Sequence, residues 1–151
     1  MSLLVRPARE ADLPEMSRVL IASITQLCAA DHGDDANAIA AWTANKTPEM
    51  LGRMLVRHGD GMVVAERDGA VVAVGLSHAD TIGLNYVDPA HRFTGASKAL
   101  LAHMEAAIRA RGHAVGRLAS TSTARAFYRA CGWVESAPGM PGNGFPMEKR
   151  L

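Results

Sequence analysis

Apolar positions along this chain recur at helical spacing, then alternate, then recur again, and those switches divide it into elements. Residues 3–6 read as a short strand, stopped by Pro7. Leu13, Met16, Leu20, Ile24 and Leu27 fall on one face and predict a helix over residues 10–30. Acidic Glu10, and Asp12 with Pro14 close behind it, suit the start of that helix. Residues 31–35 (Asp-His-Gly-Asp-Asp) break the pattern and predict a loop. Helices follow over residues 36–43, carrying Trp42, and 48–57, carrying Met50, Leu51, Met54 and Leu55.

From Gly61 the period changes. Residues 62–67 and 70–77 are valine-rich strands separated by Asp68-Gly69, a hairpin signal. Residues 81–87 form a third strand, closed by Asp88-Pro89 because proline cannot donate to a sheet ladder. Leu100, Leu101, Met104 and Ile108 share one face of a helix over residues 97–111, which Gly112 stops. A strand over 115–119, a helix over 123–131 ended by Gly132, and strands over 133–135 and 147–151 complete the order. A Pro-Gly-rich loop, 138–146, joins the last two strands. This order predicts an α/β (α+β) fold, a mixed central β-sheet flanked by helices. In such folds a ligand site lies at the C-terminal end of the central strand, here where residues 81–87 give way to a Gly-containing turn.

The chain's 151 residues fit one domain, 1–151. With 48% hydrophobic and 21% charged residues it has enough apolar side chains for a core, and its composition is neither disordered nor membrane-embedded. Sixteen basic against 15 acidic side chains, with no basic run, predict no nucleic-acid partner. Cys28 and Cys131 match no metal-ligand or redox spacing and read as reduced thiols. The first nine residues lack the apolar core and cleavage site of a signal peptide, and no segment approaches a membrane span, so a cytoplasmic protein with no membrane partner is expected.

Chemistry concentrates in two segments. The first runs Val87-Asp88-Pro89-Ala90-His91-Arg92-Phe93-Thr94-Gly95-Ala96-Ser97-Lys98 from strand to helix. Backbone N–H groups at a helix start have no partner inside the helix and, with the helix dipole, make a seat for a phosphate. Gly95, Ala96 and Ser97 are small enough for an anion to approach, and Arg92 or Lys98 would add a charge-assisted contact. A tight connection with Gly95 as a mere turn residue gives the same pattern, so this segment alone leaves both readings open. The second, residues 121–133, presents Phe127 and Tyr128 on a short helix that stops at Gly132 before Trp133. Taken alone, both aromatics read as packing residues.

Together the segments resemble the GNAT acetyltransferase superfamily. Its cofactor motif, Val-x-Pro-x-x-Arg-Gly-x-Gly-x-Gly before a Leu-Leu helix, is met in register by Val87, Pro89, Arg92, Gly95, Leu100 and Leu101. Its later motif, Ala-x-x-Phe-Tyr-x-x-x-Gly-Phe, is met by Ala124, Phe127, Tyr128 and Gly132, with Trp133 in the last place. The opening from Val5 to Leu13 and the Asp68-Gly69 hairpin leading to Gly75 are similar too. The helices around Trp42 resemble those of a bacterial subgroup. Two positions depart from the motif: Phe93 replaces its first glycine and Ser97 its last. Ser97 is small, and Phe93 keeps a usable backbone N–H if its side chain points outward.

The resemblance implies the GNAT fold, acetyl-CoA as co-substrate and direct transfer of acetyl to an amine without a covalent enzyme intermediate. It places Tyr86, Val87, Arg92, Phe93, Thr94, Gly95, Ala96, Ser97 and Lys98 at the cofactor, with a backbone N–H near Tyr86 or Val87 facing the developing oxyanion. Tyr128 takes the position of the family's general acid, and the small-molecule or peptide acceptor must lose a proton before attack. Candidates for the base are Asp31, His32, His78, Asp80 and Asn85, and no motif selects among them. Asp31, His32, Asp34 and Asp35 could attract a cationic amine or a metal, although close like charges more simply face water. The segment from Met140 to Phe145 could cover the acceptor pocket. The family includes dimers, so the resemblance admits a homodimer. A rival reading is a GNAT-fold module that binds or senses acyl-CoA without turnover, which the altered Phe93 and Ser97 keep open. A different nucleotide-binding domain fits less well, because neither a P-loop nor a GxGxxG after the first strand is present.

Overall fold

The computed structural model describes residues 2–151. Its strands are β1 (Leu3–Pro7), β2 (Met62–Arg67), β3 (Ala70–His78), β4 (Thr81–Val87), β5 (Val115–Ser120), β6 (Val134–Glu135) and β7 (Phe145–Arg150). They join in one seven-stranded sheet of order β1-β2-β3-β4-β5-β7-β6. The helices are α1 (Leu13–Leu27), α2 (Ala29–His32), α3 (Ala36–Thr43), α4 (Pro48–His58), α5 (Ala96–Ala110) and α6 (Arg125–Ala130).

Two expectations shift here. The helix predicted over residues 10–30 is three pieces: a 3-10 turn at Glu10–Asp12, then α1, then α2, with the break at Cys28 (φ −112°, ψ 24°). Asp12 sits at the first junction, where its carboxylate accepts from the Arg9 amide at 2.7 Å and from both Arg6 guanidinium nitrogens at 2.8 and 2.9 Å. The segment predicted as a loop from Asp31 begins instead with the end of α2, which Gly33 stops in the left-handed conformation (φ +61°). The last two strands also differ in placement. β7 starts at Phe145 and lies between β5 and β6, pairing antiparallel with both.

Helices cover both faces of the sheet. Leu100, Leu101, Met104 and Ile108 of α5 pack with Val63, Val72, Ile82, Leu118, Tyr128 and Trp133 on one face. Met16, Val19 and Leu20 of α1 and Leu51 of α4 pack with Val64, Val74, Leu76 and Leu84 on the other. Helix α5 can approach β3 because Gly75 has no side chain: a Cβ there would meet Met104 Sδ at 2.8 Å and Leu100 Cδ2 at 3.1 Å. Beneath α5, Trp133 is fully buried and donates its indole N–H to Glu105 at 3.0 Å, and Lys149 closes the network on the other Glu105 oxygen at 2.9 Å.

Two irregularities shape the middle of the sheet. Leu76 pairs with Leu84 and Ser77 with Ile82, so Gly83 is an extra residue that bulges from β4. The bulge reverses the alternation. Ile82 faces α5, yet Leu84, two residues on, belongs to the core beneath α1, with Tyr86 beside it. Asn85 consequently turns toward the α5 side, as Val87 does. The second irregularity is that β4 and β5, the one parallel pair among the described residues, match only at Thr81–Arg117 and Ile82–Leu118. Beyond Ile82 they part.

Candidate active site

The parting of β4 from β5 opens a cleft of about 740 Å³, a volume ordinary for a small-molecule site. Ile82 through Val87 form one wall, the N-terminal turn of α5 a second, and Phe127 and Tyr128 of α6 a third. The cleft continues to the other side of the sheet, where Ser23, Leu27 and Cys28 at the end of α1 line it. Along the parted stretch, the β4 backbone groups that face β5 have no ladder partner there.

The connection from β4 to α5 is braced from outside the cleft. Asp88 accepts from the Ala90 amide at 3.0 Å and from Arg18 of α1 at 3.0 Å. Burial pushes its carboxyl upward, but the Ala90 and Arg18 hydrogen bonds hold the net value below the usual carboxylate range. Thr94 donates its hydroxyl to His91 O at 2.6 Å, and Arg67 donates to Thr94 O at 3.0 Å. Gly95, at φ +89°, turns the chain into α5. The first bond of that helix runs from the Ala99 amide to Gly95 O at 3.0 Å, so the amides of Ala96, Ser97 and Lys98 have no intrahelical acceptor. Three free N–H groups at the positive end of a four-turn helix form an anion seat.

Tyr128 is 6% exposed, with its ring held edge-on between Phe127 (5.3 Å) and Trp133 (6.1 Å). Burial pushes its hydroxyl pKa up to about 12, an effect that neighbouring Asn85 partly offsets. The hydroxyl therefore stays protonated throughout the neutral range. Asn85 Oδ1 is buried and accepts no hydrogen bond from the described residues. On the far side, burial raises the Tyr86 hydroxyl, eased by the indole of Trp42. Burial, and then the charge of Asp31, push the Cys28 thiol up to about 12, so it is a poor nucleophile.

Of the residues singled out in the sequence, Tyr86, Val87, Arg92, Phe93, Gly95, Ala96, Ser97, Lys98 and Tyr128 all line this cleft. Thr94 does not; it braces the loop. The five candidate bases separate. Asn85 lines the cleft, whereas His78 and Asp80 lie at the opposite end of β4, where Asp80 pairs with Arg117 at 3.2 Å and His78 meets His58. His32 is buried, donates Nε2–H to Ile24 O at 2.8 Å and accepts the Asp34 amide at Nδ1, so neither nitrogen is free.

Asp31 borders the site but its oxygens are engaged by Ser122 N, Ser122 Oγ and Gly142 N, at 2.8 to 3.2 Å. It pins the β5–α6 and β6–β7 connections to α2, a structural task that the solvated-loop reading missed. Among the described residues no group of three or more acidic, His or Cys side chains is arranged to hold a metal. The segment from Met140 to Phe145 does not line the cleft; it closes on itself through a Met140–Gly144 bridge and docks on Asp31. Ser23, Leu27, Cys28 and His91 were not anticipated as lining residues: the first two are signalled only by position on α1, Cys28 by the break after it, and His91 by no motif.

A family model described as acetyltransferase (GNAT) domain matches residues 28–151. Among curated proteins no sequence matches. The whole chain superposes on the PaiA N-acetyltransferase of Thermoplasma acidophilum in complex with coenzyme A, with TM-score 0.86 and 21% identity over 100% of both chains. A GCN5-related N-acetyltransferase of Rhodopseudomonas palustris gives 0.84 and 23%, covering 100% of this chain and 97% of that one. YncA of Salmonella typhimurium, solved with its cofactor acetyl-CoA, gives 0.69 and 19%, covering 100% and 95%. At these identities the likeness establishes the fold, a mixed sheet flanked by helices.

Proposed function

The chain belongs to the GNAT acetyltransferase family, and we propose that it transfers acetyl from acetyl-CoA directly to an amine of a small molecule or peptide. The observation that carries this reading is one cleft holding both an anion seat and a buried, protonated hydroxyl. The free amides of Ala96, Ser97 and Lys98 suit a diphosphate. The unpaired edge of β4 suits an extended chain that carries its own amides, and Arg92 and Lys98 add positive charge at the rim. Asn85 Oδ1, buried without a partner, would accept from an N–H of the bound amine.

In this reading acceptor amine enters from the end lined by Ser23, Leu27, Cys28 and Tyr86. No Lys or Arg lines that end, and burial favours the uncharged amine, so deprotonation needs less help than in water. Asn85, or a water it holds, orients the nitrogen. An open N–H near Tyr86 or Val87 stabilises the developing oxyanion. Tyr128 donates its proton to the departing sulfur, the proton shed by the acylated nitrogen returns to it through solvent in the cleft, and its high pKa keeps it protonated between turnovers. Cys28 stays a thiol and does not intercept the acetyl group.

The test is thermal unfolding of wild type and Tyr128→Phe with and without acetyl-CoA, followed by thiol release with a panel of amines. A ligand at a hundred times its Kd stabilises the folded state by about 2.7 kcal/mol. Both proteins should shift upward, and only wild type should release thiol rapidly. Absence of a shift at saturating acetyl-CoA would sink the reading.

A further inference from the structure

Phe93 is an unusual residue for its position. Its backbone is left-handed (φ +64°), a conformation that costs a bulky side chain free energy and that the family's glycine would adopt without strain. Packing does not explain it: the side chain is 90% exposed and takes part in neither core cluster. The ring nevertheless is not adrift. The Arg92 guanidinium lies over one face, 4.5 Å from the centroid, and both residues line the mouth of the cleft. The opposite face is left to solvent.

Phe93 stands two residues before Gly95, and the free amides that suit a diphosphate follow at once. At 3.8 Å per residue its Cα is at most about 8 Å from that of Gly95, and both residues line the same cleft, so the ring is within reach of a nucleotide whose diphosphate sits on those amides. A large flat apolar surface there, backed by a cation, matches a purine ring in shape and in electron distribution. We propose that Phe93, backed by Arg92, is a stacking platform for the adenine of the acyl-CoA co-substrate, a specificity residue that reads the nucleotide end of the donor. The inference rests on the acetyltransferase reading above.

Three variants and two donors test it. Acetyl-pantetheine carries the same thioester arm without the nucleotide. Kd for acetyl-CoA and acetyl-pantetheine would be measured by calorimetry, with kcat/KM for thiol release as a second readout. Phe93→Gly should leave the ligand-free Tm at or above that of wild type, weaken acetyl-CoA about five- to tenfold, and leave acetyl-pantetheine unchanged. Phe93→Leu, which keeps apolar bulk and backbone strain without a π-face, should lose as much. Phe93→Trp should retain wild-type affinity. Undiminished acetyl-CoA binding by the glycine or leucine variant would overturn the proposal, as would an equal loss for both donors. A lowered ligand-free Tm in Phe93→Gly would make the residue structural. Wild type that binds neither donor would fell the acetyltransferase reading, and this platform with it.

Discussion

The two ends of β4 are built oppositely. At its start Thr81 and Ile82 pair with β5, and Arg117 clamps Asp80 and Glu148 outside the ladder. At its end Asn85 to Val87 keep only their β3 partners, and the missing neighbour is replaced by a cleft. The closed end holds the more conventional acid–base side chains, His78 and Asp80. The open end holds an amide, two tyrosines and, on the loop that follows β4, His91. On the reading proposed above, access to unpaired backbone and a buried hydroxyl, rather than the side chains at the closed end, carry the chemistry.

That contrast can be broken at several points. The largest effect is expected for Tyr128→Phe, which removes the donor at the open end with the ring packing intact; kcat in thiol release should fall about 10²-fold or more, at nearly unchanged Tm. Gly75→Val should come next. Its side chain would collide with Met104 and Leu100, displacing α5 and its anion seat, at a cost of about 1–3 kcal/mol in chemical denaturation and with weaker acetyl-CoA binding. Asp31→Ala strips the acceptor from two backbone amides and the Ser122 hydroxyl, and should cost about 1–3 kcal/mol by the same measurement. The smallest effect belongs to the closed end: Asp80→Ala and His78→Ala should leave kcat/KM within twofold, and a large loss from either would mean that the base lies outside the cleft.

A pH titration sharpens the same point. Asp12 is held low chiefly by Arg6, and Asp88 by Ala90 and Arg18 against the opposing effect of burial. Both carboxyls lie below their ordinary 3.8, so their stabilisation is complete only above about pH 5 and is lost as pH falls through the lowered values. Arg18→Ala should remove part of the Asp88 contribution and move the acid unfolding midpoint upward. Activity should show no alkaline decline from Tyr128 until pH nears 12.

What the sequence by itself determined is local. Valine alternation and the Asp68-Gly69 turn determined the β2–β3 hairpin, whose turn residues take φ +53° and +82°. The apolar face of α5 and the glycine before it marked the helix start and hence the anion seat, because these depend on neighbours a few residues away. Motif spacing brought Tyr128 into the same argument. What only the tertiary structure decided is long-range. The insertion of β7 between β5 and β6 joins strands whose pairing no local pattern encodes. The Gly83 bulge, which turns Asn85 one way and Tyr86 the other, appears only when β3 and β4 are in register. The partnership of Asp31 with Ser122 and Gly142 spans some ninety to one hundred and eleven positions, and it turns an apparent acidic surface loop into a pin. Short-range steric preference and periodicity are written residue by residue, whereas the choice of hydrogen-bond partner is made only when distant segments compete for the same unpaired groups.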